Sequence, residues 1–115
     1  MSICSMKSQN HHYAVIFASS LRPQNDGGAA YDDMAQTMAT LAATMPGYLG
    51  HVSARDAHGF GITVSYWKSE EAILNWKQQV DHAAARDAGC HQWYTEYSVE
   101  VTRIERAYRW KRKQE

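Results

Sequence analysis

The stretch Phe60–Trp67, FGITVSYW, decides the fold. Phe60, Ile62, Val64 and Tyr66 alternate with Gly61, Thr63, Ser65 and Trp67. A period of two is the signature of a strand, whose successive side chains leave on opposite faces. Neither set carries a charge, which predicts burial on both faces. Helices laid on one side of a single sheet cover only one set, so the other needs a second cover. Just upstream, Tyr48–Arg55 (YLGHVSAR) is another β-type run, and Asp56-Ala57-His58-Gly59 joins the two. A four-residue, glycine-bearing link between such runs predicts a hairpin.

Moving outward toward the N-terminus, the period changes. Tyr31, Met34, Ala35, Met38, Leu41, Ala42 and Met45 recur at spacings of three and four, with Asp32, Asp33, Gln36, Thr37 and Thr40 between them. This is an amphipathic helix over Ala29–Met45, ended by Pro46-Gly47. Asn25 or Asp26 caps its start. Before it, Tyr13–Ser20 (YAVIFASS) reads as a strand and Leu21–Gly28 as a connection. Toward the C-terminus, Ser69 caps a second helix with Glu70 and Glu71 in its first turn and Ile73, Trp76, Val80, Ala83 and Ala84 as its apolar stripe. The weak pattern over Gln78–Asp81 predicts a break there. The last strand emerges within Trp93–Tyr108, and the phase slip at Ile104 predicts a β-bulge near Thr102-Arg103. The order β-α-β-β-α-β is the α+β, ferredoxin-like arrangement: a four-stranded antiparallel sheet with two helices on one face.

The whole is 115 residues, one domain's worth, with residues 1–12 read as a disordered leader, 13–110 as the domain and 111–115 as a charged tail. Hydrophobic residues make up 44%, which excludes general disorder, and 12 basic side chains cancel 12 acidic ones, which argues against coating nucleic acid or an anionic membrane. No apolar run approaches the roughly 20 residues a membrane span needs, and the polar N-terminus lacks a signal peptide's apolar stretch, so the expected location is cytoplasmic. The two cysteines, Cys4 and Cys90, do not suggest a structural disulfide, and no Cys/His cluster has metal spacing.

With that order established, a group of short strings acquires meaning. Met45-Pro46-Gly47-Tyr48 ends the first helix, and Ser65-Tyr66-Trp67-Lys68-Ser69-Glu70-Glu71-Ala72-Ile73 begins the second. Asn75-Trp76 and His82 follow, then Trp93-Tyr94, Tyr97 and Arg103-Ile104-Glu105-Arg106-Ala107-Tyr108. From about Tyr13 to Trp110 the chain resembles the antibiotic biosynthesis monooxygenase (ABM) domain family. The resemblance implies a homodimer whose sheets pack face to face into a dimeric α+β barrel, which supplies the missing cover for the second sheet face. It also implies a small-molecule pocket in each subunit between sheet and helices. Members differ in chemistry: some oxygenate aromatic polyketides without metal or flavin, some degrade haem, some act on quinols. The fold alone does not choose among them.

The resemblance places Trp76 where relatives carry a pocket-lining tryptophan, able to stack on a flat substrate; the same residue also anchors the helix stripe. His82 is the candidate base, since an imidazole titrates near neutral pH. On an unbroken helix it is turned about 120° from Trp76 and shares a face with Asn75, Gln79 and Arg86. Asn75, Tyr66, Met38 and Arg86 are the candidate substrate contacts. Haem-degrading relatives carry an iron-ligating histidine ten residues after the tryptophan, where this chain has Arg86, and an asparagine on the first strand, where it has Ala18, Ser19 or Ser20. Arginine stays protonated and is not a normal iron ligand. His51 and Arg55 share a strand face and read as a structural polar pair, as ligand contacts or as part of the dimer seam; His91 and Tyr94 read as pocket rim or surface. The expected function is a monooxygenase needing no cofactor or metal, acting on a small aromatic or quinol-type molecule. The alternatives are a non-catalytic binding or stress-response dimer and a haem-binding or haem-degrading protein.

Overall fold

The computed structural model describes the backbone of residues 7–8, 12–86 and 92–113, and the side chains of 12–81 and 92–113. Its elements are β1 (Lys7–Ser8), β2 (Tyr13–Leu21), α1 (Ala29–Ala43), β3 (Tyr48–Arg55), β4 (Phe60–Trp67), α2 (Glu70–Arg86), β5 (Tyr94–Arg103) and β6 (Tyr108–Arg109). The four long strands form one antiparallel sheet in the order β3-β4-β2-β5. With α1 and α2 this is the ferredoxin-like βαββαβ fold that the alternating periods predict. Within the stretch read as a leader, Lys7–Ser8 pairs with Tyr108–Arg109 as a separate two-stranded sheet. Cys4, Cys90 and His91 lie outside the described residues.

Local chemistry explains the boundaries. Gly28 occupies the N-cap of α1 in a left-handed conformation (φ 90°) and offers no side chain. Asp26 acts in its place, accepting the Gly28 amide on Oδ1 and the Ala30 amide on Oδ2, both at 2.9 Å. These two bonds hold its carboxyl below the usual carboxylate range. The helix stops at Ala43 rather than Met45, because the residue before a proline is pushed out of the helical region. In the β3–β4 hairpin, Asp56 Oδ1 accepts the amides of His58 and Phe60, and Gly59 takes φ +93°. Ser69 Oγ accepts the Ala72 amide at 3.1 Å, as a helix cap should.

Two local expectations are corrected. Helix α2 continues without a break from Glu70 through Arg86; weak apolar patterning on a solvent face does not interrupt a backbone ladder made of good helix formers. No bulge occurs at Thr102-Arg103. β5 ends at Arg103, the Ile104 amide turns to the His12 carbonyl at 3.0 Å, and the register shift of the β2–β5 pairing falls at Ser20/Leu21 instead.

The core forms where α2 meets the start of β2 and the end of β4. Trp67 is completely buried, packed with Ala72 and Ile73 and flanked by Tyr13, Val15, Met45, Tyr48 and Trp76. Its indole N–H donates to Ser65 Oγ at 2.8 Å, which removes the cost of burying an unpaired donor. Gly47 makes the tight approach of the α1–β3 turn to α2 possible. It has φ +85°, and a β-carbon there would lie 2.7 Å from Cβ of Ala72.

Candidate active site

Trp67 fixes which face of the sheet the helices cover. Register pairing then sets four rows across β3, β4, β2 and β5 on that face. The first is Tyr48, Trp67, Tyr13 and Arg103. The second is His51, Ser65, Val15 and Val101, and the third is Ser53, Thr63, Phe17 and Val99. The fourth is Arg55, Gly61, Ser19 and Tyr97. The face is thus divided: hydroxyl, imidazole and guanidinium groups lie on β3 and β4, and mainly apolar groups on β2 and β5. Strand alternation alone produces this, once the register is known.

Each end of the face is closed by aromatic rings. At the first row the ring of Trp76 stacks on Trp67, with centroids 6.1 Å apart and planes 25° from parallel, and Tyr48 meets Trp67 edge-on at 5.4 Å. Trp76 is half-buried, so it retains accessible surface while Trp67 has none. Beside this pair, Tyr48 Oη and His51 Nδ1 are 2.6 Å apart. At the fourth row, Tyr31 of α1 meets Trp93 and Tyr94 edge-on, and Phe17 contacts Tyr94 and Tyr97. Between the two ends, Ser53 Oγ and Thr63 Oγ1 share a 2.7 Å hydrogen bond.

Arg55 organises the fourth row. Its Nη1 donates to the carbonyls of Gly59 (2.5 Å) and Ser19 (3.3 Å), and its Nη2 to Ser19 Oγ (2.9 Å) and Tyr31 Oη (3.1 Å). The guanidinium also lies 5.4 Å from the centre of the Tyr31 ring. Its other side rests on Gly61, where a β-carbon would fall 2.6 Å from Cζ. His51 and Arg55 share the face, as their strand parity requires, but do not pair with each other.

The structure brings some sequence candidates together and separates others. Trp76 belongs to the first-row cluster. Asn75, next to it on α2, is exposed, and Met38 on α1 is half-buried. Tyr66 stands on the opposite face of the sheet, one residue out of phase with Trp67, in register with Ala14 and Gly50. His82 and Arg86 are placed on α2 by their backbone; their side chains lie outside the described residues. Tyr94, paired with Leu21 just past the fourth row, joins the aromatic cluster of Tyr31 and Tyr97. Tyr31 and Ser19 are the residues the sequence did not single out. Tyr31 reads as one more member of an apolar stripe, and Ser19 as a strand-end serine. Their link to Arg55 exists only through the β2–β4 and β3–β4 registers.

A four-stranded antiparallel sheet with two helices on one face, with aromatic and hydroxyl groups on that face, defines the class: a ferredoxin-like α+β protein. A family model described as antibiotic biosynthesis monooxygenase matches residues 14–88. The chain is 44% identical over 106 residues to the uncharacterized protein YqjZ of Bacillus subtilis, covering 92% of this chain and 90% of that protein. A mutant of SnoaB, a cofactor-independent oxygenase from Streptomyces nogalater, superposes with a TM-score of 0.64 at 14% identity, over 84% of this chain and 95% of that one. MhuD, crystallised with two manganese protoporphyrin IX molecules per active site, superposes with a TM-score of 0.58 at 25% identity, over 81% and 94%. This chain belongs to the antibiotic biosynthesis monooxygenase family. No helix among the described residues is long and apolar enough to cross a membrane.

Proposed function

We propose that this protein is a cofactor-independent monooxygenase that holds a small, flat, oxidisable aromatic or quinol-type molecule on the helix-covered face of its sheet. The observation that carries the reading is the half-buried Trp76 indole stacked on the sealed Trp67, at the edge of a strip bearing His51, Ser53, Thr63 and Ser65. A rigid indole pair offers a flat apolar surface, and a few polar groups beside it orient a ring. The chemistry this suits begins with loss of a proton from an electron-rich ring. The resulting anion reduces dioxygen directly, one oxygen atom enters the ring as a carbonyl, and the other leaves as water with one hydrogen from the reacting carbon and one from a ring hydroxyl. No outside reductant is needed. The protein's part is to desolvate and orient the anion. The likeness to SnoaB supports this reading.

Two imidazoles are offered as the base. His82 is the residue that family resemblance points to. His51 is the one whose surroundings are described: its Nδ1 is tied to the Tyr48 hydroxyl, which fixes the ring and leaves Nε2 for substrate. Asn75, Met38 and Arg86 are proposed as substrate contacts. The position of the iron-ligating histidine of haem-degrading relatives is occupied by Arg86, which argues against haem cleavage.

A second copy of the chain is the proposed cover for the opposite sheet face. There Val52, Phe60 and Ile62 are 59%, 47% and 43% exposed, with Ile16, Val64 and Tyr66 half-buried among them. A contiguous apolar patch of this kind marks an interaction surface.

Oxygen uptake with a panel of quinols and polyphenols tests the reading. Turnover is expected in the wild type, with a loss of about tenfold or more in Trp76→Phe at unchanged melting temperature, the scale that about 1.4 kcal/mol of transition-state binding represents. Unchanged turnover in that variant removes Trp76 from the mechanism. Saturable binding with no oxygen uptake assigns the protein to the non-catalytic alternative.

A further inference from the structure

A charged group held away from bulk water is normally matched by a charge of opposite sign. Arg55 is half-buried, and all four of its described hydrogen bonds go to neutral oxygens: two carbonyls, a serine hydroxyl and a phenol. Among the described residues the one ion pair is Lys77–Asp81, on the solvent face of α2. Asp56, the next residue in the chain, spends Oδ1 on the amides of its own hairpin turn. The four Arg55 hydrogen bonds and its contact with the Tyr31 ring thus engage neutral groups, and no carboxylate among the described residues faces its charge.

Tyr31 carries that charge outward. Its phenol oxygen accepts from Arg55 Nη2 at 3.1 Å and from Tyr94 Oη at 3.5 Å. A phenol oxygen has two acceptor positions and one proton to give. With both acceptor positions used, no acceptor among the described residues takes the Tyr31 O–H, which is available to a ligand. A donor polarised by an adjacent cation makes its strongest hydrogen bond to an anion. The arrangement is built, not incidental: Gly61 leaves the space in which the guanidinium lies, and the Tyr31 ring is held by Trp93 and Tyr94.

We propose that Arg55 and Tyr31 form an anion subsite at the fourth row of the sheet, which receives a carboxylate carried by the flat aromatic ligand. The subsite rests on the function proposed above and narrows its substrate class to aromatic acids. Gly61 lies two and four residues along β4 from Thr63 and Ser65, roughly 7 to 13 Å at the usual strand rise. A one- or two-ring ligand over those hydroxyls therefore reaches Tyr31 with its acidic group.

Gallate and methyl gallate, measured anaerobically by titration calorimetry, differ only in the charge the subsite reads. The acid is expected to bind the wild type about tenfold more tightly than the ester. Arg55→Gln is expected to bring the two within about twofold, and Tyr31→Phe to reduce the ratio by weakening the acid more than the ester. The first and fourth rows stand six residues apart on β4, roughly 20 Å, so neither single-ring ligand touches Trp76 from the subsite, and Trp76 is probed by oxygen uptake instead. If Arg55→Gln does not fold, Tyr31→Phe, which leaves three of the Arg55 bonds in place, carries the test. An acid-to-ester ratio near one in the wild type, or a wild-type ratio that survives in the variants, overturns the subsite. If the subsite fails while oxygen uptake with the quinol panel still falls in Trp76→Phe, the parent reading survives that failure. If neither ligand binds the wild type, the subsite falls.

Discussion

Gly61→Ala probes the link between sheet register and the Arg55 cluster. The added β-carbon would lie 2.6 Å from Cζ of Arg55 and 2.9 Å from each Nη. Ordinary carbon contacts are about 3.5–4.0 Å, so the guanidinium must retreat by about 1 Å. It is the far end of a flexible side chain, so the clash itself is relieved at little cost. What is lost is the set of bonds to Ser19, Gly59 and Tyr31. Hydrogen bonds to a charged group contribute about 1.5–3 kcal/mol each when buried, and partial exposure of Arg55 lets water replace some of them. Alanine also stabilises an extended backbone over glycine by about 0.5–1 kcal/mol. The expected net is a destabilisation of about 1–2 kcal/mol.

The decisive measurement is a double-mutant cycle by urea denaturation, followed by tryptophan fluorescence. In an Arg55→Ala background the same Gly61→Ala change loses its penalty and becomes neutral or stabilising by up to about 1 kcal/mol. The expected coupling is about 2 kcal/mol, well outside the ~0.5 kcal/mol within which independent sites add. Additive effects would refute the placement of the guanidinium over Gly61, and the anion subsite with it.

Other expectations concern the fold and its assembly. Gly47→Ala combines a left-handed backbone, costing an L-residue about 1–2 kcal/mol, with overpacking against Ala72 at 2.7 Å; a loss of more than about 2 kcal/mol is expected in thermal or urea unfolding. Asp26 has its carboxyl pKa lowered by the Ala30 and Gly28 amides. Its contribution is therefore complete above the unfolded value of about 3.9 and disappears as pH falls through the lower folded value; Asp26→Asn should flatten that part of an acid-stability profile. Ile62→Glu, in the middle of the exposed apolar face, should leave secondary structure intact and shift light scattering from dimer to monomer. A wild type that is already monomeric at micromolar concentration contradicts the proposed cover.

The strands and helices were legible because each carries its own period. Phe60–Trp67 and Tyr48–Arg55 match their expected limits, as does Ala29 at the start of α1, since alternation, turn residues and caps act over a few positions. Trp67 and Trp76 could be recognised as large apolar anchors, but not as a stacked pair. Helix α2 runs unbroken from Glu70 to Arg86, without the break that the weak pattern over Gln78–Asp81 predicts. The alternation readable in Phe60–Trp67 already puts the Tyr66 side chain on the sheet face opposite Trp67, and the register agrees.

The amino-acid sequence by itself determined the order of the four long strands and two helices and the capping roles of Asp26 and Ser69, all of which follow from short-range periodicity and charge. Only the tertiary structure decided which hydroxyls, rings and cations share a face. Arg55, Gly61, Ser19 and Tyr31 come together because three strands lock at one register and α1 returns over them, and a pairing between positions 36 or 24 residues apart leaves no local trace.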